Sequence, residues 1–283
     1  MNLKDSLGNR MKSFYEEIPK VKLIRRTPVI IRIDGKAFHT FTRGMKRPFD
    51  EILIQSMQET TKYLCENIQG CVLGYTQSNE ITLVLVDYKN LDTSAWFDYE
   101  IQKMCSIAAS MTTMAFNRIF NRIATQWLDN FYEEWNRSEK DEKYASVLIR
   151  AIEQGAMFVA SCFNIPKEEV TNCIYWRQLD ASRNSIQMVG QAYFSHKQLQ
   201  KKSCNDIQDM LMLEKGINWN NYPTHQKRGT CVVRNKVIVD QNEITTTARL
   251  RDTTKGENEW IIDKEIPIFK GDGRDYIEEL INF

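Results

Sequence analysis

Residues 29–162 read as strand, helix, strand, strand, helix, strand, and few arrangements bury the apolar faces of elements in that order. Val29 to Ile33 is an apolar, β-branched run that stops at Asp34-Gly35. Pro48-Phe49-Asp50 opens a helix whose apolar stripe is Ile52, Leu53, Met57, Tyr63, Leu64 and Ile68. Cys71 to Thr76 and Ile81 to Val86 are strands on either side of a tight turn at Gln77-Ser78-Asn79. Phe97 to Ala124 carries a long helical pattern, and Ala156 to Cys162 is a fourth strand. The order predicts a split βαβ, ferredoxin-like unit, an antiparallel sheet with both helices on one face. In that topology the end of the first strand lies beside the turn between the second and third. Asp34 and the Asn79-Glu80 pair, far apart in sequence, are therefore expected to meet.

The second half has a different pattern. Pro166 to Phe194 is helical, and Ser203 to Glu214 is a second helix that Gly216 stops. Gly229 to Val239 and Ile244 to Leu250 are expected as strands of a small sheet, and residues 253–259 as a polar loop. The fold class is α+β: a ferredoxin-like domain over residues 1–165, with a helical and β portion over 166–283 packed on it. No flexible linker marks that boundary.

Charge is balanced, with 38 Lys and Arg against 37 Asp and Glu, so an RNA surface would have to be a local patch. The seven cysteines form no C-x-x-C pair and do not cluster with the three histidines, which argues against zinc. Their odd number, inside apolar runs, suits a reducing cytoplasm. Met1 to Arg10 is too polar for the apolar core of a signal peptide, and no run approaches about 18 uncharged apolar residues, so no membrane span is expected.

Asp34-Gly35 with Glu80 is the constellation that could carry chemistry. Nucleotidyl transfer uses carboxylates on rigid strands to hold two divalent cations, and Mg²⁺ takes oxygen ligands while leaving room for phosphates. A glycine after the acid lets a triphosphate approach the backbone. Taken alone, Asp-Gly is more often an ordinary turn. The wider sequence changes that weighting. Ile31-Arg32-Ile33-Asp34-Gly35-Lys36-Ala37-Phe38-His39 resembles the R-x-D-G-[RK]-x-F-H signature of the tRNA-His guanylyltransferase family. Arg47-Pro48-Phe49-Asp50 resembles its K-P-x-D segment, and Gly74 to Glu80 its Y-x-Q-S-D-E turn. Trp176-Arg177-Gln178 with Asp180 is similar to its W-R-Q-x-D helix, and Lys227-Arg228-Gly229-Thr230 to its R-K-G-T loop. Five motifs in order, from about residue 28 to 230, make the resemblance specific, and within the family the chain resembles the tRNA-repairing bacterial-type members.

The resemblance implies a polymerase-palm-like domain and 3′-to-5′ addition to tRNA. There, the 3′-OH of an incoming nucleotide attacks a 5′ phosphate activated by ATP or GTP. Asp34, the Gly35 carbonyl, Asn79 and Glu80 would form a site for two Mg²⁺ ions. His39, with the backbone of Lys36, Ala37 and Phe38, would line a nucleotide. Arg47, Ser78 and Lys103 would contact nucleotides, and Asn184 would lie near the activated 5′ end. Lys227 and Arg228 would bind RNA, and the chain would form a homotetramer. Asn79 stands where the family has a metal-ligating aspartate, and Arg47 where it has lysine. Ser182 stands at the histidine of the eukaryotic His-x-Asn-Asn run, which favours template-dependent 5′ repair of several tRNAs over strict tRNA-His selectivity. Further basic residues, Lys20, Lys22, Arg25, Arg26, Arg43, Lys46, Lys197, Lys201 and Lys202, are candidates for backbone contact. The rivals are a tRNA-binding protein disabled by Asn79 and a nucleotide-cyclase-like palm enzyme.

Overall fold

The computed structural model of the chain describes residues 6–134, 138–235 and 259–282. In chain order its elements are α1 (Ser6–Met11), β1 (Val29–Lys36), α2 (Phe38–Phe41), α3 (Glu51–Asn67), β2 (Cys71–Gln77), β3 (Glu80–Leu85), α4 (Ile101–Glu133) and α5 (Glu139–Gln154). They continue with β4 (Met157–Asn164), α6 (Val170–Tyr193), α7 (His196–Leu199), α8 (Cys204–Lys215), α9 (Thr224–Arg228), β5 (Thr230–Arg234), β6 (Trp260–Asp263) and α10 (Asp275–Ile281).

The strands form one sheet in the order β4-β1-β3-β2-β5-β6, with every neighbouring pair antiparallel. Its first four strands are the split βαβ arrangement expected from sequence. The register pairs Asp34 with Glu80 on one side and with Val159 on the other. A main core lies between one sheet face and α3, α4 and α5, built on Ile31, Ile33, Leu83, Leu64, Phe116 and Leu148. On the other face, Ile30, Tyr75 and Val84 pack under Val170 and Ile174 of α6 and Tyr276 and Ile277 of α10.

Among the described residues, the C-terminal strands do not make a small sheet of their own. Thr230 pairs with Thr76, so β5 continues the main sheet from the edge of β2, and β6 extends it by one strand. An apolar β2, buried along Cys71 to Thr76, needs a neighbour on each side, and β5 supplies the second. The strand expected to run to Val239 is described as far as Arg234; the rest of it, the Ile244 to Leu250 strand and most of the 253–259 loop lie outside the described residues. Helix α4 begins at Ile101, not Phe97, because Phe97, Asp98 and Tyr99 all have left-handed φ values near 50°. Helix α5 lies outside the expected pattern. Ser138 caps it by accepting from the Asp141 N–H, acids fill its first turn, and Gly155 ends it at φ 63°.

Candidate active site

The end of β1 and the β2–β3 turn form one surface. The Gly35 N–H donates to the Asn79 carbonyl (3.2 Å), and the Asn79 Nδ2 donates to Asp34 Oδ1 (2.7 Å). Ser78, at φ 51°, turns the hairpin, and its hydroxyl donates to Asn79 Oδ1 (3.2 Å). The Asn79 amide is thus engaged at both ends. Glu80 meets Asp34 across the strands but does not face it freely. Its Oε1 accepts from Arg32 (3.1 Å) and its Oε2 from Arg177 of α6 (3.0 Å). Arg177 is 4% exposed and also bridges Asp180 (3.2 Å), with the Trp176 ring 3.8 Å from its guanidinium carbon. Burial, then the Glu80 charge, push the Asp34 acid up from its ordinary value.

This donor set does not fit two divalent cations. One carboxylate, Asp34, is free of a cationic partner; Glu80 is spent on two guanidiniums, and Asn79 presents an N–H to Asp34. Among the described residues, no three His, Cys, Asp or Glu side chains gather as a metal site. The expected pairing of Asp34 with Glu80 is present, and Glu80 is held there by Arg32 and Arg177. Sequence could not show this, because Arg177 lies 97 residues from Glu80.

The Gly35 to His39 segment is shaped by packing. A Cβ on Gly35 would lie 2.1 Å from the Phe38 ring, so this glycine admits an aromatic side chain under the turn. Phe38 is core, packed against Phe41, Phe116 and Phe158. Lys36, Ala37 and His39 are exposed, with Ala37 at φ 52°. Only backbone is left for Phe38 to offer a ligand.

Two clefts sharing Asp50, Leu53, Ser78 and Met188 open beside the hairpin. The first adds Asn184, Gln77 and His225; the second, of about 220 Å³, adds Arg47 and Gln191. Arg47, Ser78 and Asn184 are therefore brought together as expected. Arg47 also lines a third cavity of about 560 Å³ with His196 and Lys202. Asp50 is structural: it caps α3 through the Leu53 N–H and accepts from the Lys46 N–H and the Tyr144 hydroxyl.

Lys103 and Lys227 are held by protein partners. Lys103 stands in the first turn of α4, where Ile101 bonds Val21 and Cys105 touches Cys162 beside Ile31. Ile31 is three residues before Asp34 on β1, and the Lys103 ammonium pairs with Glu100 (3.5 Å). Lys227 is 8% exposed; its ammonium donates to the Asn220 carbonyl and lies 5.7 Å from the Trp219 ring centre. It braces α9 against Trp219. Arg228 beside it is half-buried. Lys22 and Arg25 are paired with Asp98 and Asp87.

The family model described as tRNAHis guanylyltransferase matches residues 8–164. A solved bacterial tRNA(His) guanylyltransferase-like protein in complex with ATP is 38% identical, with a TM-score of 0.75 over 98% of this chain and 100% of its own. A second, in complex with GTP, is 35% identical, with a TM-score of 0.72 over 99% and 100%. A probable tRNA(His) guanylyltransferase of Drosophila melanogaster is 23% identical over 262 residues, 84% of this chain and 80% of its own.

Proposed function

The chain belongs to the tRNA(His) guanylyltransferase family, and from that premise we propose that it adds nucleotides to tRNA 5′ ends in the 3′-to-5′ direction. The observation that carries this is the placing of Asp34 at a strand end beside clefts that gather Arg47, Ser78 and Asn184. The substrates are nucleoside triphosphates, in keeping with the ATP and GTP held by the bacterial relatives. ATP or GTP serves as the activating nucleotide.

In this reading the Ser78 hydroxyl and the Asn184 amide orient the activating nucleotide, and Arg47 takes a phosphate as a forked donor. The apolar sides of Leu53 and Met188 exclude water from the activated 5′ end, protecting it from hydrolysis. The backbone of the Lys36 to Phe38 turn, with His39 exposed beside it, receives the nucleotide whose 3′-OH attacks. The RNA runs from Ser78 past Arg47 along the cavity bearing His196 and Lys202, where Lys197 and Lys201 add positive charge. Ser182 at the position of the eukaryotic anticodon-linked histidine supports templated repair of several tRNAs. A cytoplasmic site of action accords with this substrate, and none of the described helices is long and apolar enough to cross a membrane. A homotetramer is the proposed assembly, consistent with the exposed Met157, Val159 and Phe163 on edge strand β4, and light scattering tests it.

The test is extension of a 5′-truncated tRNA with ATP, all four nucleoside triphosphates and Mg²⁺. Wild type extends it against the template, and Asp34→Ala loses at least about a hundred-fold in rate, equivalent to about 2.7 kcal/mol. No extension by wild type, or unchanged extension by Asp34→Ala, would sink the proposal.

A further inference from the structure

Nucleotidyl-transfer centres place two divalent cations roughly 4 Å apart, and carboxylates between them offset the repulsion of the ions. Here the side chains that would share that work are otherwise engaged. The Asn79 amide turns its N–H onto Asp34 Oδ1 at 2.7 Å, and Ser78 holds the amide in that sense through Asn79 Oδ1 at 3.2 Å. A hydrogen-bond donor therefore occupies one flank of the one free carboxylate. Glu80 has an arginine on each oxygen, at 3.1 and 3.0 Å. Turning Glu80 to a metal would leave the Arg177 guanidinium buried without that partner, an unfavourable exchange. Asp87, the next acid along from β3, is fully buried at the other end of the sheet and already paired with Arg25.

Resting on the reading of this site as a nucleotidyl-transfer centre, we propose that the chain holds one divalent cation, on Asp34 together with the triphosphate, and that the Asn79 amide stands where a second would be. The amide takes over part of the second ion's electrostatic role: its N–H dipole meets the Asp34 carboxylate and keeps that side chain aimed. It cannot supply a full positive charge, so the site keeps nucleotide binding and has a weakened capacity to stabilise an attacking oxygen.

The experiment counts bound Mn²⁺ by electron paramagnetic resonance on the full chain, with a GTP analogue whose α,β-bridging oxygen is NH and no RNA. The same nucleotide without protein is the reference. Wild type should bind one Mn²⁺ per chain with no spin–spin broadening. Asn79→Asp should rise to two, with the broadening of two ions close together, and Asn79→Ala should stay at one. Two spin-coupled ions in wild type would overturn the proposal, as would none. A count of one in folded Asn79→Asp would remove Asn79 as the cause. If that variant does not fold, the counts in wild type and Asn79→Ala still decide between one ion and two. Because the count needs neither RNA nor turnover, it stands or falls separately from the extension assay.

Discussion

Asp34 is a carboxylate kept where its charge is unwelcome: burial and Glu80 raise its acid form, and Arg32 and Arg177 only partly offset them. Between its ordinary value and the raised one, the folded chain binds more protons at this position than the unfolded chain does. Asp34 therefore favours the fold below the ordinary carboxylate range, and that contribution is lost as pH rises through the raised value. Asp34→Asn should abolish nucleotide addition yet unfold at higher denaturant than wild type at pH 7. The two proteins should converge near pH 3, and urea melts at both pH values read this directly. Arg177 predicts the reverse. Arg177→Met removes the buried partner of both Glu80 and Asp180, leaving them only the more exposed Arg32 and Arg183, and should cost roughly 3 kcal/mol, whereas Arg32→Met, on a part-exposed pair, should cost less than about 1 kcal/mol. Equal urea midpoints for the two variants would refute that ranking. Asp34 beside Asn79 was legible because strand order alone puts them together. The inward turn of Lys227 was not, since it depends on Trp219 and the Asn220 carbonyl, and no local pattern announces such partners.

Element boundaries follow caps and packing more than periodicity. Asp50 caps α3 through the Leu53 N–H, holds the preceding loop through the Lys46 N–H and ties both to α5 through the Tyr144 hydroxyl. Asp50→Ala should cost about 2 kcal/mol, a cap plus a buried hydroxyl left unpaired, read as a shift in thermal melting. Gly35→Ala pushes a methyl into the Phe38 ring at the base of the site, so it should lower stability by about 1–3 kcal/mol and nucleotide affinity with it. Helix α5 carried its signals in sequence, Ser138 before three acids and Gly155 after Gln154, but its sparse apolar positions, Tyr144, Ala145, Leu148 and Ala151, make a weak stripe. Strand β6 is four residues long, too short for alternation to register, and only its pairing with β5 defines it.

Across the whole molecule, net charge conceals how the cations are distributed. Those at the Val29 end of β1 are paired with Asp87 and Asp98; Lys197, Lys201 and Lys202 are exposed, and Lys202 lines the Arg47 cavity. Replacing the three lysines by glutamate should weaken tRNA binding. It should also flatten the dependence of log affinity on log salt by about 1 for each phosphate that is no longer neutralised, without changing GTP affinity. An unchanged salt slope would place the RNA elsewhere. The sheet itself imposes an order of events on synthesis. The β2–β3 hairpin leaves the ribosome early, but the strand that borders β2 begins at Thr230, and Arg177 and the Gln178 amide that binds the Pro267 carbonyl and the Phe269 N–H come late as well. A nascent chain therefore carries Asp34 and Glu80 long before Glu80 is restrained or the sheet is closed on that side. Such long-range pairing makes folding slow, and a chain cut short before Trp260 would leave the outer edge of β5 without its β6 partner, an open edge able to pair with another chain.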